Sequence, residues 1–319
     1  MSPRAPVKVT AGEPLPCPPD AREATVVAGR RRLKLTNLRK VFFPESGYTK
    51  RDLLEFYLRI APALLPHLKE RAMVMKRYPN GIRGQFFFMK RTPAGAPEWV
   101  ETCSIEHASA SVIDFPIVQD LASLLWIVNL GSIDLNPWYA RCEDVDRPDF
   151  LHFDLDPVEP AGFDRVREVA LLIRDRLDRL GARSYPKTTG SKGIHVYVPI
   201  EHGPTQKQVW TFAKAFAVSL ARKHPELITA EYRIRNRPAG RILVDYNQNA
   251  WGRTLASVYS VRPRPGAPVS TPVTWEEVEA GVEIADFTIR NVPERVEQLG
   301  DLWRPLLWKR GRFDLSVHL

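Results

Sequence analysis

Cysteine is scarce in this chain: its 319 residues include only three, and the sequence contains neither a CxxC nor an HExxH motif. Because Cys17, Cys103 and Cys142 show no paired spacing, we predict reduced thiols in a cytoplasmic protein and no structural zinc site. Long apolar runs are also missing, since none approaches the ~18 residues that a membrane span needs. No apolar segment follows the N-terminus as it would in a signal peptide. We therefore expect neither a membrane protein nor a secreted one.

Proline and positive charge are abundant by contrast. The chain has 28 prolines, and six of them lie in its first twenty residues. That stretch has no periodic apolar residues, so we predict a Pro-rich, flexible extension over residues 1–29. Lys and Arg outnumber Asp and Glu by 46 to 37, which gives a net charge of +9 and favours a polyanionic partner. The length suits two lobes or one large domain, and we predict two lobes, at residues 30–149 and 150–319.

Capping signals locate helices in both lobes. Thr49, followed by Asp52, predicts the start of one helix, and Thr274 predicts another in the same way. Residues 117–130 predict a largely buried helix, and residues 72–90 predict strands on either side of a Pro-Asn-Gly turn.

The second lobe predicts an ordered series of elements. They are a strand over 150–156, a helix from Asp164 to Gly181, strands near 183–189 and 193–199, a helix after Thr205, and a strand over 241–247. This is the split βαβ, or ferredoxin-like, order. We therefore predict an α+β fold with a βαββαβ sheet and an N-terminal α/β lobe. The strand with Asp154 and Asp156 should lie between the strand with His195 and the strand with Asp245.

Three carboxylates are candidate metal ligands. Asp154 and Asp156 project from one strand face, and Asp245 lies within an apolar strand. Buried carboxylates need a compensating cation, and oxygen ligands suit Mg²⁺ or Mn²⁺. Such a site can hold two ions about 3.5–4 Å apart for phosphoryl or nucleotidyl transfer. The alternatives are a calcium loop or surface aspartates at the end of a strand.

A polar turn follows these acids along the chain. Residues 188–195 read TTGSKGIH, in which glycines allow close approach to a phosphate and Lys192 adds charge. The turn is not a Walker A loop, because the spacing differs and a strand follows it. An exposed hairpin turn is the alternative interpretation, and His195 taken alone could be a packing residue.

The chain resembles a known family through three ordered motifs. These are HFDLDP at 152–157, TGSKGIH at 189–195 and VDYNQN at 244–249, with further similarity at 35–44, 76–81 and 259–262. They are similar to the archaeo-eukaryotic primase superfamily, and most of all to the polymerase domain of bacterial DNA ligase D and its stand-alone relatives. The resemblance covers about residues 30 to 319.

The resemblance implies roles for individual residues. Asp154, Asp156 and Asp245 would be catalytic metal ligands for two ions, with Mn²⁺ favoured over Mg²⁺, and an NTP or dNTP would be the substrate. The implied nucleotide-binding residues are Thr189, Ser191, Lys192, His195, Arg262, Gln248, Asn249 and Asn136. Asn136 stands where many relatives carry a histidine near the nucleotide sugar, and it can still hydrogen-bond a ribose hydroxyl.

Nucleic-acid contacts are also implied by the resemblance. Lys40 and Lys50 match a basic pair that binds the 5′-phosphate across a gap, and Phe87 and Phe88 match aromatic residues that stack on template bases. Arg77 and Arg237 would contact the nucleic-acid backbone.

The expected function is template-dependent primer extension and gap filling in DNA repair such as non-homologous end joining, with ribonucleotides accepted. We expect a monomeric, nucleoid-associated cytoplasmic enzyme that binds primer-template DNA and gapped or broken ends. A separate ligase and an end-binding protein would be its partners. Two alternatives remain open: a two-metal nuclease or phosphohydrolase, and a non-catalytic module that binds DNA ends.

Overall fold

The computed structural model describes residues 6–107 and 111–319. Its strands are β1 (Val7–Val9), β2 (Ala24–Ala28), β3 (Arg31–Leu35), β4 (Val41–Phe43), β5 (Tyr48–Thr49), β6 (Met73–Arg77), β7 (Phe87–Met89), β8 (Thr102–Glu106), β9 (Val112–Pro116), β10 (Ser132–Pro137), β11 (Phe150–Pro157), β12 (Tyr185–Thr188), β13 (Ile194–Pro199), β14 (Ile228–Thr229) and β15 (Ile242–Asp245). Its helices are α1 (Lys50–Leu68), α2 (Leu121–Asn129), α3 (Phe163–Asp178), α4 (Gln206–Lys223), α5 (Trp275–Glu279) and α6 (Val292–Leu299). The predicted α+β class is confirmed.

The chain forms two compact units whose boundaries differ from the predicted lobes. The first unit runs to Pro137 and also includes Tyr259–Val269 and Phe287–Gly300. The second unit contains Trp138–Val258, Ser270–Asp286 and Asp301–Leu319. The predicted boundary at residue 150 therefore differs from the observed division of the chain. The unit to which a segment belongs depends on contacts between residues far apart in the sequence, and a linear pattern does not reveal those contacts.

Residues 6–29 are part of the folded first unit. β1 pairs in parallel with β2, and β2 pairs antiparallel with β3. Arg51 of α1 holds the intervening segment through its guanidinium group, which donates to the carbonyl oxygens of Leu15, Cys17 and Pro18. The predicted flexible extension is corrected for these residues, because main-chain pairing and Arg51 order a proline-rich stretch. Residues 1–5 of that extension lie outside the described residues.

Helix α1 packs against α2 in the first unit. Thr49 and Asp52 form the predicted capping box at the start of α1, with each side chain accepting a hydrogen bond from the other residue's main-chain N–H. The second predicted helix is α2, which starts later than expected because Asp120 caps it. β6 lies between β10 and β7 in an antiparallel sheet.

The second unit has the predicted sheet order. Its strands lie in the order β12-β13-β11-β15-β14, and every neighbouring pair except β14–β15 is antiparallel. The apolar face of β11 packs on helices, as shown by Phe153, whose ring centroid lies 4.6 Å from that of Phe216 in α4. Alternation along β11 therefore points Asp154 to the face opposite these helices.

Helix capping in the second unit matches the prediction at two of three positions. Thr205 with Gln208, and Thr274 with Glu277, form capping boxes. Asp164 is not the cap of α3, since the N-cap is Gly162 and has no side-chain hydrogen bond.

The cysteines differ from the predicted state. Cys17 is a free thiol, whereas Cys103 and Cys142 are each disulfide-bonded. The prediction of reduced thiols is therefore wrong for two of the three, because a low, odd cysteine count without paired spacing does not determine the oxidation state of an individual thiol. Within residues 6–107 and 111–319, none of the helices is long and apolar enough to cross a membrane.

Candidate active site

One row of polar residues crosses the sheet of the second unit. Lys187 of β12 is in register with His195 of β13, His195 with Asp154 of β11, and Asp154 with Asp245 of β15. Residues opposite each other in an antiparallel pair point to the same face, so all four side chains share one side of the sheet. The predicted placement of the Asp154 strand between the other two is confirmed.

The two aspartates of this row are buried and hydrogen-bonded. Asp154 is 6% exposed, and its Oδ1 lies 3.1 Å from Nε2 of His195. Asp245 is 8% exposed, and its oxygens accept from the Asn247 N–H at 2.8 Å and from Nε2 of Gln248 at 3.0 Å. Gln248 therefore orients a carboxylate of the candidate site.

The donor set suits a hard divalent cation. Asp154 and Asp245 are adjacent across the sheet, and Asp156 is on the same face two residues along β11. Two buried carboxylates side by side are costly without a cation, and their oxygens are preferred ligands of Mg²⁺ or Mn²⁺. In the described ranges, however, no group of three or more His, Cys, Asp and Glu side chains converges as ready-made metal ligands. The three carboxylates therefore have suitable chemistry, and metal binding would require their side chains to rotate.

Asn249 supports β11. Its Oδ1 accepts from the main-chain N–H of His152 at 3.1 Å, and its Nδ2 donates to the His152 carbonyl at 2.7 Å. The side chain is 3% exposed. These contacts make Asn249 a brace between the turn after β15 and β11, and they give no support to its predicted role as a nucleotide neighbour.

Thr189 organises the candidate phosphate loop. Its Oγ1 accepts hydrogen bonds from the main-chain N–H groups of Ser191, Lys192 and Gly193 at 3.1, 3.2 and 3.1 Å. Gly193 is required by close packing, since a Cβ there would lie 1.8 Å from the carbonyl oxygen of Leu155. The loop is thereby fixed beside the strand that carries the acids.

Ser191 and Lys192 are the accessible side chains of this loop. Ser191 is half-buried and Lys192 is exposed. The Nζ of Lys192 lies 3.2 Å from Glu159, but both side chains are largely exposed, so this ion pair is weak. Lys192 can therefore exchange this ion pair for a bound anion with little loss of free energy.

Lys187 is a site residue that the sequence reasoning missed. It is completely buried, and its Nζ donates to the Ser270 hydroxyl and, at 3.1 Å, to the Ala256 carbonyl. The Ser270 hydroxyl in turn donates to the Thr188 carbonyl at 3.1 Å. This relay anchors the main chain that enters the phosphate loop. A lysine within a predicted strand was the only available signal.

His152 lies beside Asp154 in an aromatic environment. It is fully buried, with its ring centroid 4.2 Å from that of Tyr139 and 5.1 Å from that of Tyr197. Burial lowers the pKa of His152 well below its ordinary value, and the charge of His195 lowers it further. His152 is therefore neutral at physiological pH.

The first unit has a cluster of three cations, Lys40, Lys50 and Arg77, which includes the predicted basic pair. Lys40 donates to the Asn80 side chain, and the Lys50 main-chain N–H donates to the Lys40 carbonyl at 2.8 Å. Lys50 is 4% exposed. Burial, followed by the charges of Lys40 and Arg77, lowers the pKa of Lys50 to about 8. A bound anion would stabilise the charged form of this buried lysine, which lies beside two like charges.

Exposed aromatic rings adjoin this cluster. Phe86, Phe87 and Phe88 are 50%, 43% and 59% exposed. The Arg77 guanidinium lies 5.2 Å from the Phe87 ring centroid, and Lys76 Nζ lies 4.5 Å from that of Phe86. The rings are accessible for stacking and are not part of a strand core.

Asp134 holds two further cations of the first unit, and the sequence reasoning missed it. It is 2% exposed, with Arg262 Nε at 3.3 Å and Lys76 Nζ at 4.0 Å. Asn136, 8% exposed, donates to the Asp134 carbonyl at 3.2 Å. An acid flanked by Ile and Leu was the available signal. That Arg262 and Asn136 contact a nucleotide stays a prediction.

Arg237 uses its donors within its own loop. Its Nε donates to the Glu231 carbonyl at 3.2 Å, and its Nη2 donates to the Tyr232 carbonyl at 3.0 Å. Its predicted backbone contact stays a prediction.

Comparison with known proteins identifies a family. The family model described as LigD, primase-polymerase domain, matches residues 49–303. The chain is 34% identical over 277 residues to the multifunctional non-homologous end joining protein LigD of Mycolicibacterium smegmatis, covering 86% of this chain and 36% of that protein. It is 33% identical over 319 residues to the LigD protein of Pseudomonas aeruginosa, covering 97% of this chain and 38% of that one. The chain thus spans well under half the length of these relatives.

A solved structure is also similar. The polymerase domain of Mycobacterium tuberculosis ligase D in complex with DNA matches with a TM-score of 0.81 and 30% sequence identity. The match covers 86% of this chain and 98% of that domain.

Proposed function

The chain belongs to the LigD primase-polymerase family, and on that premise we propose that it is a template-dependent polymerase that extends primers and fills short gaps in DNA. The observation that carries this proposal is the pairing of Asp154 with Asp245 across the sheet, beside the loop that Thr189 organises. This arrangement combines oxygen ligands for a cation with main-chain and hydroxyl donors for a phosphate.

The reaction is nucleotidyl transfer. The primer 3′-hydroxyl oxygen forms a bond to the α-phosphorus of the incoming nucleotide, and the hydroxyl proton passes to solvent. The bond between the α-phosphorus and the bridging oxygen breaks, and pyrophosphate leaves with that oxygen. Ser191 and Lys192 bind the triphosphate, and Lys192 neutralises charge on the leaving pyrophosphate. Asp154 lies against His195, and Asp245 accepts a hydrogen bond from Gln248, so each carboxylate is held by a neighbouring side chain before it rotates to bind a cation.

Asp154, Asp156 and Asp245 would hold two divalent ions, Mn²⁺ or Mg²⁺. When bound, such ions lower the pKa of a hydroxyl and neutralise phosphate charge. Oxygen-only ligation and the closeness of two buried carboxylates support this part of the proposal.

The cation cluster of the first unit would bind the 5′-phosphate at the far side of a gap. Lys50 supplies a buried ammonium group, and Lys40 and Arg77 supply two more positive charges. The exposed Phe87 and Phe88 would stack on template bases, a contact worth ~1–3 kcal/mol per base.

The biological setting follows from the relatives. Those relatives are named as non-homologous end joining proteins, so we place this chain in DNA repair by end joining, with a separate ligase and an end-binding protein as partners. Ribonucleotide use is part of the proposal, with Asn136 as the residue that contacts the sugar. A cytoplasmic, nucleoid-associated monomer fits this role.

Primer extension tests the proposal. Labelled primer-template is incubated with Mn²⁺ and either rNTPs or dNTPs, using the wild type and Asp154→Ala/Asp156→Ala. We expect the wild type to lengthen the primer and the double variant to lose that activity. Asp178→Ala, which removes one exposed carboxylate at the end of α3, serves as a surface control and should keep it. Shortening of the primer would support a nuclease instead. Binding without any change in length would support a non-catalytic module.

A further inference from the structure

A basic groove lies on the first unit, next to the cation cluster. It has a volume of about 930 Å³ and is open to solvent. The residues that line it are Arg22, Glu23, Thr36, Asn37, Arg39 and Lys40. All six of these residues have polar or charged side chains, which suits a charged ligand.

The N-terminal segment builds one wall of this groove. The main-chain N–H of Leu38 donates to the Arg22 carbonyl at 2.9 Å, which fixes the segment before β2 against the loop after β3. Asn37 turns that loop with a φ of 55°, a left-handed conformation that asparagine tolerates. The family match begins at residue 49, so the groove belongs to a part of the chain outside it.

The groove has an excess of positive charge. Arg22 and Arg39 are exposed, and neither forms an ion pair within residues 6–107 and 111–319. The one carboxylate in the lining, Glu23, already lies 2.9 Å from Lys34 Nζ. Arg22, Arg39 and Lys40 therefore present three positive charges to a ligand.

Lys40 belongs both to this groove and to the cation cluster, where its carbonyl accepts from the N–H of Lys50. A strand whose 5′-phosphate sits at Lys50 would therefore have a continuous basic path for its next phosphates. We propose that the groove binds the sugar-phosphate backbone of the downstream DNA strand, immediately 3′ of the terminal phosphate. This inference rests on the proposed function, because it takes the position of the 5′-phosphate from it.

The test compares two double variants of the full chain. Arg22→Ala/Arg39→Ala removes both groove arginines, and Arg30→Ala/Arg32→Ala removes the same charge from exposed positions outside the groove. Equilibrium binding is measured by fluorescence anisotropy, from 50 to 200 mM salt, on gapped duplexes with or without a 5′-phosphate. The first linkages of the downstream strand are either charged phosphodiesters or neutral methylphosphonates.

The wild type and the control variant should bind the duplex with charged linkages more tightly than the one with neutral linkages. The groove variant should lose that gain but keep its preference for the 5′-phosphate. Loss of two phosphate contacts lowers the magnitude of the slope of log K, where K is the binding constant, against log salt concentration by about 1.4–1.8. Across the salt range, the affinity of the groove variant should therefore fall about tenfold less than that of the wild type.

An equal dependence on the charged linkages and equal salt slopes in the two double variants would overturn the inference, as would a wild type that gains nothing from the charged linkages. Failure of the proposed function has a different signature: no primer extension and no preference for the 5′-phosphate in the wild type.

Discussion

The buried ammonium group of Lys50 makes the proposed 5′-phosphate site sensitive to pH. Burial and the charges of Lys40 and Arg77 lower the pKa of Lys50 from 10.5 to about 8. A phosphate dianion beside it would favour the charged form and raise this pKa again. Binding of the phosphate should therefore weaken as the pH rises from 7 to 9, because the free protein loses its Lys50 proton in that range.

The size of the effect follows from the fraction of protonated Lys50. At pH 9 the fraction is about one in eleven, so the affinity for the 5′-phosphate should fall about tenfold, or ~1.4 kcal/mol, relative to pH 7. The phosphate adds little to this change, because its second pKa near 6 leaves it almost fully dianionic above pH 7.

The stability of the unliganded protein should change in the opposite direction. Between about 8 and 10.5 the unfolded chain binds the Lys50 proton that the folded protein has lost. The Lys50 contribution to the free energy of unfolding therefore increases as the pH rises through that window. Below about pH 8 both states bind the proton, and Lys50 causes no further change with pH.

The assay is the ratio of dissociation constants for gapped duplexes with and without the 5′-phosphate, measured by anisotropy at pH 7, 8 and 9. The ratio cancels the pH dependence of all other DNA contacts. Lys50→Arg keeps its charge over the whole range, so its ratio should stay constant. A constant ratio in the wild type, or an equal decline in Lys50→Arg, would refute the reasoning.

Three further substitutions test the site. Gly193→Ala should destabilise the second unit by about 1–3 kcal/mol, measured by urea unfolding, because its Cβ would lie 1.8 Å from the Leu155 carbonyl oxygen; unchanged stability would show that the loop can shift freely. Asp134→Asn should lower stability at neutral pH by about 1–3 kcal/mol, because Arg262 loses a buried counter-charge; a rise in melting temperature would contradict this. Lys187→Met should raise the KM for nucleotide about tenfold, ~1.4 kcal/mol, with a smaller effect on kcat, since it loosens the loop anchor; an unchanged KM in primer extension would exclude the anchoring role.

Local patterns in the sequence were sufficient for much of the fold. The capping box of Thr49 with Asp52 and that of Thr205 with Gln208 depend on residues three positions apart, so both can be predicted from the sequence alone. The order of strands and helices in the second unit also led to the correct sheet order, because few topologies are compatible with short connections.

The candidate acids were predictable for the same reason. Asp154 and Asp245 lie in apolar strands, and the strand order alone makes them neighbours. The motif order further predicted the family, which the match over residues 49–303 confirms.

Tertiary structure alone decided several features, each of which depends on residues far apart in the chain. Residues 6–29 are ordered because they contact Arg51 and β3. Their high proline content does not predict these contacts. Lys50 and Lys187 are both lysines in the sequence, yet the fold buries them, lowers the pKa of the first and uses the second as an anchor. The sequence determines which groups can be charged or can donate a hydrogen bond. Only the packed chain determines their exposure to water and their neighbours, because solvation and Coulomb interactions depend on distance in space.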